Sequence, residues 1–120
     1  MKILVCEDDV IVVKVIEVAL APEKVEMVLV RDGDKAFRLL KENNNFDLII
    51  TDIHMPHHKG DEILELVRIQ QKKTTPIIMI SSDDAEEAIA LALKSGVNEY
   101  MVKPIDPVQL NKKVKKLLKL

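Results

Sequence analysis

KILVCEDDV, Lys2 to Val10, sets four consecutive apolar residues directly against three acids. An apolar run of strand length with no alternation suits a strand buried on both faces. Neighbouring carboxylates repel one another, and burying them is costly. A buried strand that ends in Glu7, Asp8 and Asp9 therefore places concentrated negative charge at one edge of a sheet, where it calls for a partner of opposite sign.

The rest of the chain alternates between two kinds of segment. Short apolar runs occupy 3–6, 25–30, 47–50, 76–80 and 100–102, with the β-branched content of strands. Longer segments at about 9–20, 34–43, 60–71, 84–95 and 107–119 have helical length. Five strands alternating with five helices predict an α/β domain, a doubly wound parallel sheet covered on both faces. The first, third and fourth runs are continuous and predict central strands. Glu26 and Arg31 make the second an edge. Asp32-Gly33 opens the second helix, Asp83 with Glu86 predicts a capping box on the fourth, and Gly96 ends it.

Composition narrows the function classes. The 120 residues fit one domain, 1–120, and 48% apolar content excludes disorder. Aromatics are 2%, so the core is aliphatic and base-stacking platforms are scarce; the net charge of -2 implies no polyanion, and no nucleic acid is expected on this domain. One cysteine rules out an internal disulfide and suits a reducing compartment; Cys6, inside the first strand, reads as an inert core thiol. The longest apolar run, AIALAL, is far too short for a membrane span, and no signal peptide pattern precedes the first strand. A cytoplasmic domain is expected.

In an open parallel sheet, ligands bind beyond the carboxyl ends of the strands, so the residues that follow each strand converge. Here these are Glu7, Asp8 and Asp9, then Thr51 and Asp52, then Ser81 and Ser82, then Lys103 and Pro104. Clustered carboxylates suit Mg²⁺, a hard cation that keeps several waters and needs one or two protein carboxylates. With the ion present, repulsion becomes shared attraction. Asp52 can then act as a nucleophile towards a phosphoryl group, with Lys103 neutralising the phosphoryl oxygens and Ser81 donating a hydrogen bond.

ILVCEDD, RDGDKAF, DLIITDIHMP followed by Gly60, PIIMISS and GVNEYMVKP, in this order, together resemble the receiver domain of two-component response regulators over essentially the whole chain. The resemblance implies a flavodoxin-like sheet in strand order 2-1-3-4-5. It implies that Asp52 is the phosphoacceptor and that Glu7, Asp8, Asp52 and the backbone carbonyl of His54 hold Mg²⁺. Ser81 and Lys103 match the phosphoryl-binding pair, Ser81 and Tyr100 the switch, and Lys103-Pro104 a cis peptide. Two of the three opening acids then serve the metal, and Asp9 starts or caps the first helix. The implied partner is a sensor histidine kinase or a histidine phosphotransfer protein, and the implied output face is helix 4, strand 5 and helix 5.

The loop HMPHHKG departs from the common pattern. His57, His58 and Lys59 join His54 beside the acidic pocket, either as a soft-metal or pH-sensitive group or as solvated loop residues, the reading favoured here. His54 and Asp83 occupy the positions that tune phosphorylated lifetime in the family. Asp83 to Lys94 carries net -3 and Asp106 to Leu120 net +4, which fits either a two-fold dimer through the output face or balance within one chain. Between Val10 and Leu20 only Lys14 and Glu17 are polar, so some of Val10, Val13 and Val18 are expected at the surface as a docking site for the histidine donor, unless these valines are simply buried.

Rival readings are weaker. A metal-dependent phosphatase with an aspartate nucleophile would carry Asp-x-Asp after the first strand, where this chain has Glu7-Asp8-Asp9, and would need a cap domain. A flavin carrier would need a Gly/Ser/Thr-rich phosphate loop where the three acids stand. A receiver cut from a longer regulator is indistinguishable from a stand-alone one at this level.

Overall fold

The computed structural model describes residues 1–54 and 60–120. His57, His58 and Lys59, and with them the reading of the loop histidines as a group, lie outside the described residues. The elements run β1 (Lys2–Cys6), α1 (Val10–Leu20), β2 (Glu26–Val30), α2 (Gly33–Glu42), β3 (Leu48–Asp52), α3 (Gly60–Glu65), β4 (Ile77–Ser81), α4 (Glu86–Lys94), β5 (Glu99–Val102) and α5 (Pro107–Leu118). A π-helical turn, Leu66–Gln70, prolongs α3. All strands are parallel, in the order β2-β1-β3-β4-β5, so the doubly wound flavodoxin-like sheet holds and β2 is an edge.

Side chains alternate across a strand, and here they divide the core in two. Ile3, Val5, Ile50, Ile78 and Ile80 meet Val12 and Ile16 of α1 and Leu110 and Val114 of α5 on one face. Leu4, Cys6, Ile49, Ile77 and Met79 meet α2, α3 and the π-helical turn on the other. β3 and β4 are buried throughout, which explains why their sequences do not alternate. Each such buried aliphatic side chain contributes about 2 kcal/mol by leaving water.

Local signals set the helix ends. The Asp9 Oδ1 accepts from the Ile11 N–H at 2.9 Å and caps α1. Asp32 accepts from the Lys35 N–H at α2, and Asp106 from the Val108 N–H at α5, where Pro107 takes the first helical position. The expected capping box on α4 does not form. Its N-cap is Ala85, with no side-chain cap, because Asp83 bonds to the Ala85 N–H in the turn ahead of the helix. The other end of α4 matches its reading. Gly96 has φ +113°, its N–H bonds to the Leu93 carbonyl, and the Val97 N–H bonds to the Ala92 carbonyl, the reciprocal pattern that favours glycine.

α1 resolves as a helix despite its six valines and isoleucines in the first seven residues. One stripe, Val12, Val13, Ile16, Ala19 and Leu20, is buried. Val10, Ile11 and Val18 are exposed, and of the three valines some of which are expected at the surface Val13 faces the core.

Candidate phosphoryl site and its relatives

The sheet register brings the acids together. Cys6 pairs with Thr51 across β1 and β3, so Glu7 stands level with Asp52 one residue on. The β4 neighbour of Asp52 is Ile80, which puts Ser81 one step beyond. β5 ends at Val102 beside Ser81, and Lys103 follows. The Lys103-Pro104 peptide is cis, as the resemblance implies.

Lys103 supplies the opposite charge that the opening stretch calls for. Its Nζ lies 2.5 Å from the Asp52 Oδ2 and 3.2 Å from the Glu7 Oε1. Glu7 is 1% exposed. Its Oε2 accepts from the Asp8 and Asp9 N–H groups at 3.0 and 3.1 Å. The contact of Oε1 with Lys103 is one of charge, without hydrogen-bond geometry. Burial pushes the Glu7 carboxyl up to about 7, with the Asp52 charge adding to the rise against the backbone donors and Lys103. Burial also works against the Lys103 ammonium, but its hydrogen bond to Asp52 and its charge contacts with Asp52 and Glu7 outweigh that and raise its pKa.

The other Asp52 oxygen, Oδ1, accepts from the His54 N–H at 2.8 Å. Glu7, Asp8 and Asp52 each offer a carboxylate oxygen within 4.8 Å of the others, with Asp8 exposed at the mouth. Three hard oxygen donors, one with no hydrogen bond of its own, fit a divalent cation of the Mg²⁺ kind. Asp9 is not in this group, because its side chain is taken up by the α1 cap.

Ser81 is fully buried, and its Oγ accepts from the Asp83 N–H at 3.0 Å. Tyr100 is half-buried, and its hydroxyl donates to the Asp83 carbonyl at 2.9 Å. The backbone of one residue, Asp83, thus touches both residues matched to the switch, through its N–H and its carbonyl. The sequence singles out Asp83 for its position after Ser81, but no spacing rule reveals that its backbone joins Ser81 to Tyr100.

Residues 3–115 match the model of the response regulator receiver domain. The chain belongs to that family. This receiver domain is 35% identical to a chemotaxis protein CheY homologue of Campylobacter jejuni over 120 residues, 98% of this chain and 92% of the relative. It is 33% identical to the alkaline phosphatase synthesis transcriptional regulatory protein PhoP of Bacillus subtilis, covering 98% of this chain and 48% of the relative. The Francisella response regulator 1452 receiver domain superposes with a TM-score of 0.88 at 32% identity, over 98% of this chain and 96% of that one. The chain is therefore a CheY-like receiver of two-component signalling. Among its described residues, no helix is long and apolar enough to cross a membrane.

Proposed function

We propose that this receiver accepts a phosphoryl group on Asp52 from a histidine kinase or histidine phosphotransfer protein, with Mg²⁺ held by Glu7, Asp8, Asp52 and the His54 carbonyl. The observation that carries the proposal is the pair of buried carboxylates, Asp52 and Glu7, bridged by the half-buried Lys103, with Lys103 2.5 Å from the Asp52 carboxylate. The ion would neutralise developing charge on the phosphoryl oxygens.

An Asp52 oxygen lone pair attacks phosphorus in line. The bond from phosphorus to the donor nitrogen breaks, and its electron pair leaves with the imidazole. Lys103, already between Asp52 and Glu7, shifts its hydrogen bond from the carboxylate to a phosphoryl oxygen. The His54 N–H holds the other carboxylate oxygen and so orients the nucleophile. Ser81 turns its hydroxyl from the Asp83 N–H towards the phosphoryl group. That loosens the Asp83 backbone, whose carbonyl holds Tyr100, and biases the face of α4, β5 and α5. A phosphatase reading finds less support, since a receiver of this family is a signalling domain.

Incubation with Mg²⁺ and a small phosphoryl donor should yield an acid-labile adduct, and Asp52→Asn should abolish it. An adduct formed at a comparable rate on Asp52→Asn protein would overturn the assignment.

A further inference from the structure

α4 is held differently at its two ends. None of its nine residues is buried, although it carries AIALAL, and Leu91 and Leu93 are exposed. On its α3 side lies a groove of about 290 Å³, with Ile53, Leu64, Met79, Leu91 and Ala92 in its lining. A helix that buries so little is positioned mainly by its ends.

The end nearest Asp52 is tied through Asp83, whose N–H donates to the Ser81 Oγ, whose carbonyl accepts from the Tyr100 hydroxyl and whose carboxylate accepts from the Ala85 N–H. The far end, about 13 Å away along the helix axis, is tied by a guanidinium. Arg68 Nε donates to the Gly96 carbonyl at 3.1 Å, Nη1 to the Lys73 carbonyl at 2.9 Å, and Nη2 to the Asn98 Oδ1 at 3.0 Å. Asn98 Oδ1 also accepts from the Ile77 N–H at 2.9 Å, which fastens the start of β4 to the start of β5. The arginine stem lies against Gly96, where a Cβ would come within 3.2 Å of Nε.

Arg68 has a firm base. Its neighbours Leu66 and Val67 are in the core, and the π-helical turn closes through the Gln71 N–H bonded to the Leu66 carbonyl at 2.8 Å. Three charge-assisted bonds from one planar fork to three residues form a stiffer tie than the Asp83 end, where the one charge-assisted bond, to the Ala85 N–H, stays within the turn and the bonds to Ser81 and Tyr100 are neutral.

We propose that Arg68 is the positioning residue that pins the C-terminal end of α4 and the start of β5, so that the helix swings about this corner when its Asp83 end is released. The moving end rests on the phosphoryl-site reading above. The pinned end does not, and it can be tested without any ligand.

Amide hydrogen exchange on the full chain compares the wild type with Arg68→Lys and Arg68→Met. Lysine keeps charge and stem but cannot span three acceptors. Without ligand, exchange at residues 92–98 should rise about tenfold or more in both variants, while β1 and β3 stay protected. With Mg²⁺ and beryllofluoride as a phosphoryl analogue, wild-type changes should concentrate at the 82–89 end, and in the variants they should spread through 92–98. Tyr100 is the only tyrosine and there is no tryptophan, so intrinsic fluorescence follows the switch residue in the same samples. Unchanged exchange at 92–98 in Arg68→Met overturns the pin, as does a rise in Arg68→Lys shared equally by β1 and β3. An analogue without effect on the wild type counts instead against the phosphoryl reading, and the ligand-free comparison then decides the pin alone.

Discussion

Among single residues, Lys103 and Cys6 make the sharpest contrast. Removing Lys103 strands two buried carboxylates beside each other. Lys103→Met should therefore lower stability by about 2 kcal/mol in metal-free buffer. The same variant makes the pocket more negative, so Mg²⁺ should raise its melting temperature more than that of the wild type. Thermal melts with and without Mg²⁺ check both effects, and an equal Mg²⁺ shift in the two proteins would count against the metal site. Cys6 lies in the core beside the acids yet takes no part in the site. Burial pushes its thiol up to about 12, a Thr51 hydrogen bond opposes the rise and the Glu7 charge adds to it. Its folded pKa is raised above the unfolded value of 9.0, so the stability it contributes is present below 9.0 and is lost as pH climbs towards 12. The advantage of wild type over Cys6→Ala should narrow by about 2 kcal/mol between about pH 8 and about pH 11, measured by urea unfolding. Periodicity identified Cys6 as core. It could not show Glu7 at 1% exposure, because an acid after a strand reads the same whether it faces solvent or a half-buried lysine.

Helix by helix, the ends and faces depended on different information. Asp9 and Asp32 cap where the sequence placed helix starts, and Asp106 caps α5 in the same way, because a side-chain cap is a contact over two or three residues. The α4 capping box failed on equally local grounds, since Asp83 spends its side chain on the Ala85 N–H and its backbone on Ser81 and Tyr100. On α1, Ile11 is 75% exposed, with Val10 and Val18 also open. A solvent-facing isoleucine beside an acidic pocket suits the docking of a histidine donor. Ile11→Glu should slow transfer from a histidine phosphotransfer protein by about tenfold, while transfer from a small-molecule donor, which needs only the pocket, stays unchanged. Rapid-mixing assays with the two donors make the comparison, and equal slowing of both would assign the defect to the site or the fold.

At the scale of the whole molecule, charge on the face of α4, β5 and α5 is partly settled within one chain. Glu99 of β5 lies 3.2 Å from both Lys113 and Lys116 of α5; burial opposes its ionisation, but the two ammoniums together hold its carboxyl below the usual range. Lys112, Lys115 and Lys119 remain exposed, as do the α4 acids Glu86 and Glu87. Should a two-fold dimer join these surfaces, sedimentation with Mg²⁺ and beryllofluoride would show a dimer at low salt that dissociates at high salt. A monomer in every condition would leave only the intramolecular pairing. The sequence by itself determined the parallel α/β class, the central and edge strands, most helix ends and which residues follow each strand at the carboxyl edge of the sheet. Strand burial, side-chain caps and the residues that follow each strand are all written locally, in runs of a few positions. Only the tertiary structure decided which valines of α1 meet the core, that Lys103 lies between Glu7 and Asp52, that the Asp83 backbone joins Ser81 to Tyr100, and that Arg68 ties Gly96, Asn98 and Lys73 together. These contacts join different elements, many of them residues tens of positions apart. Their geometry follows from sheet register and helix packing, which local periodicity does not encode.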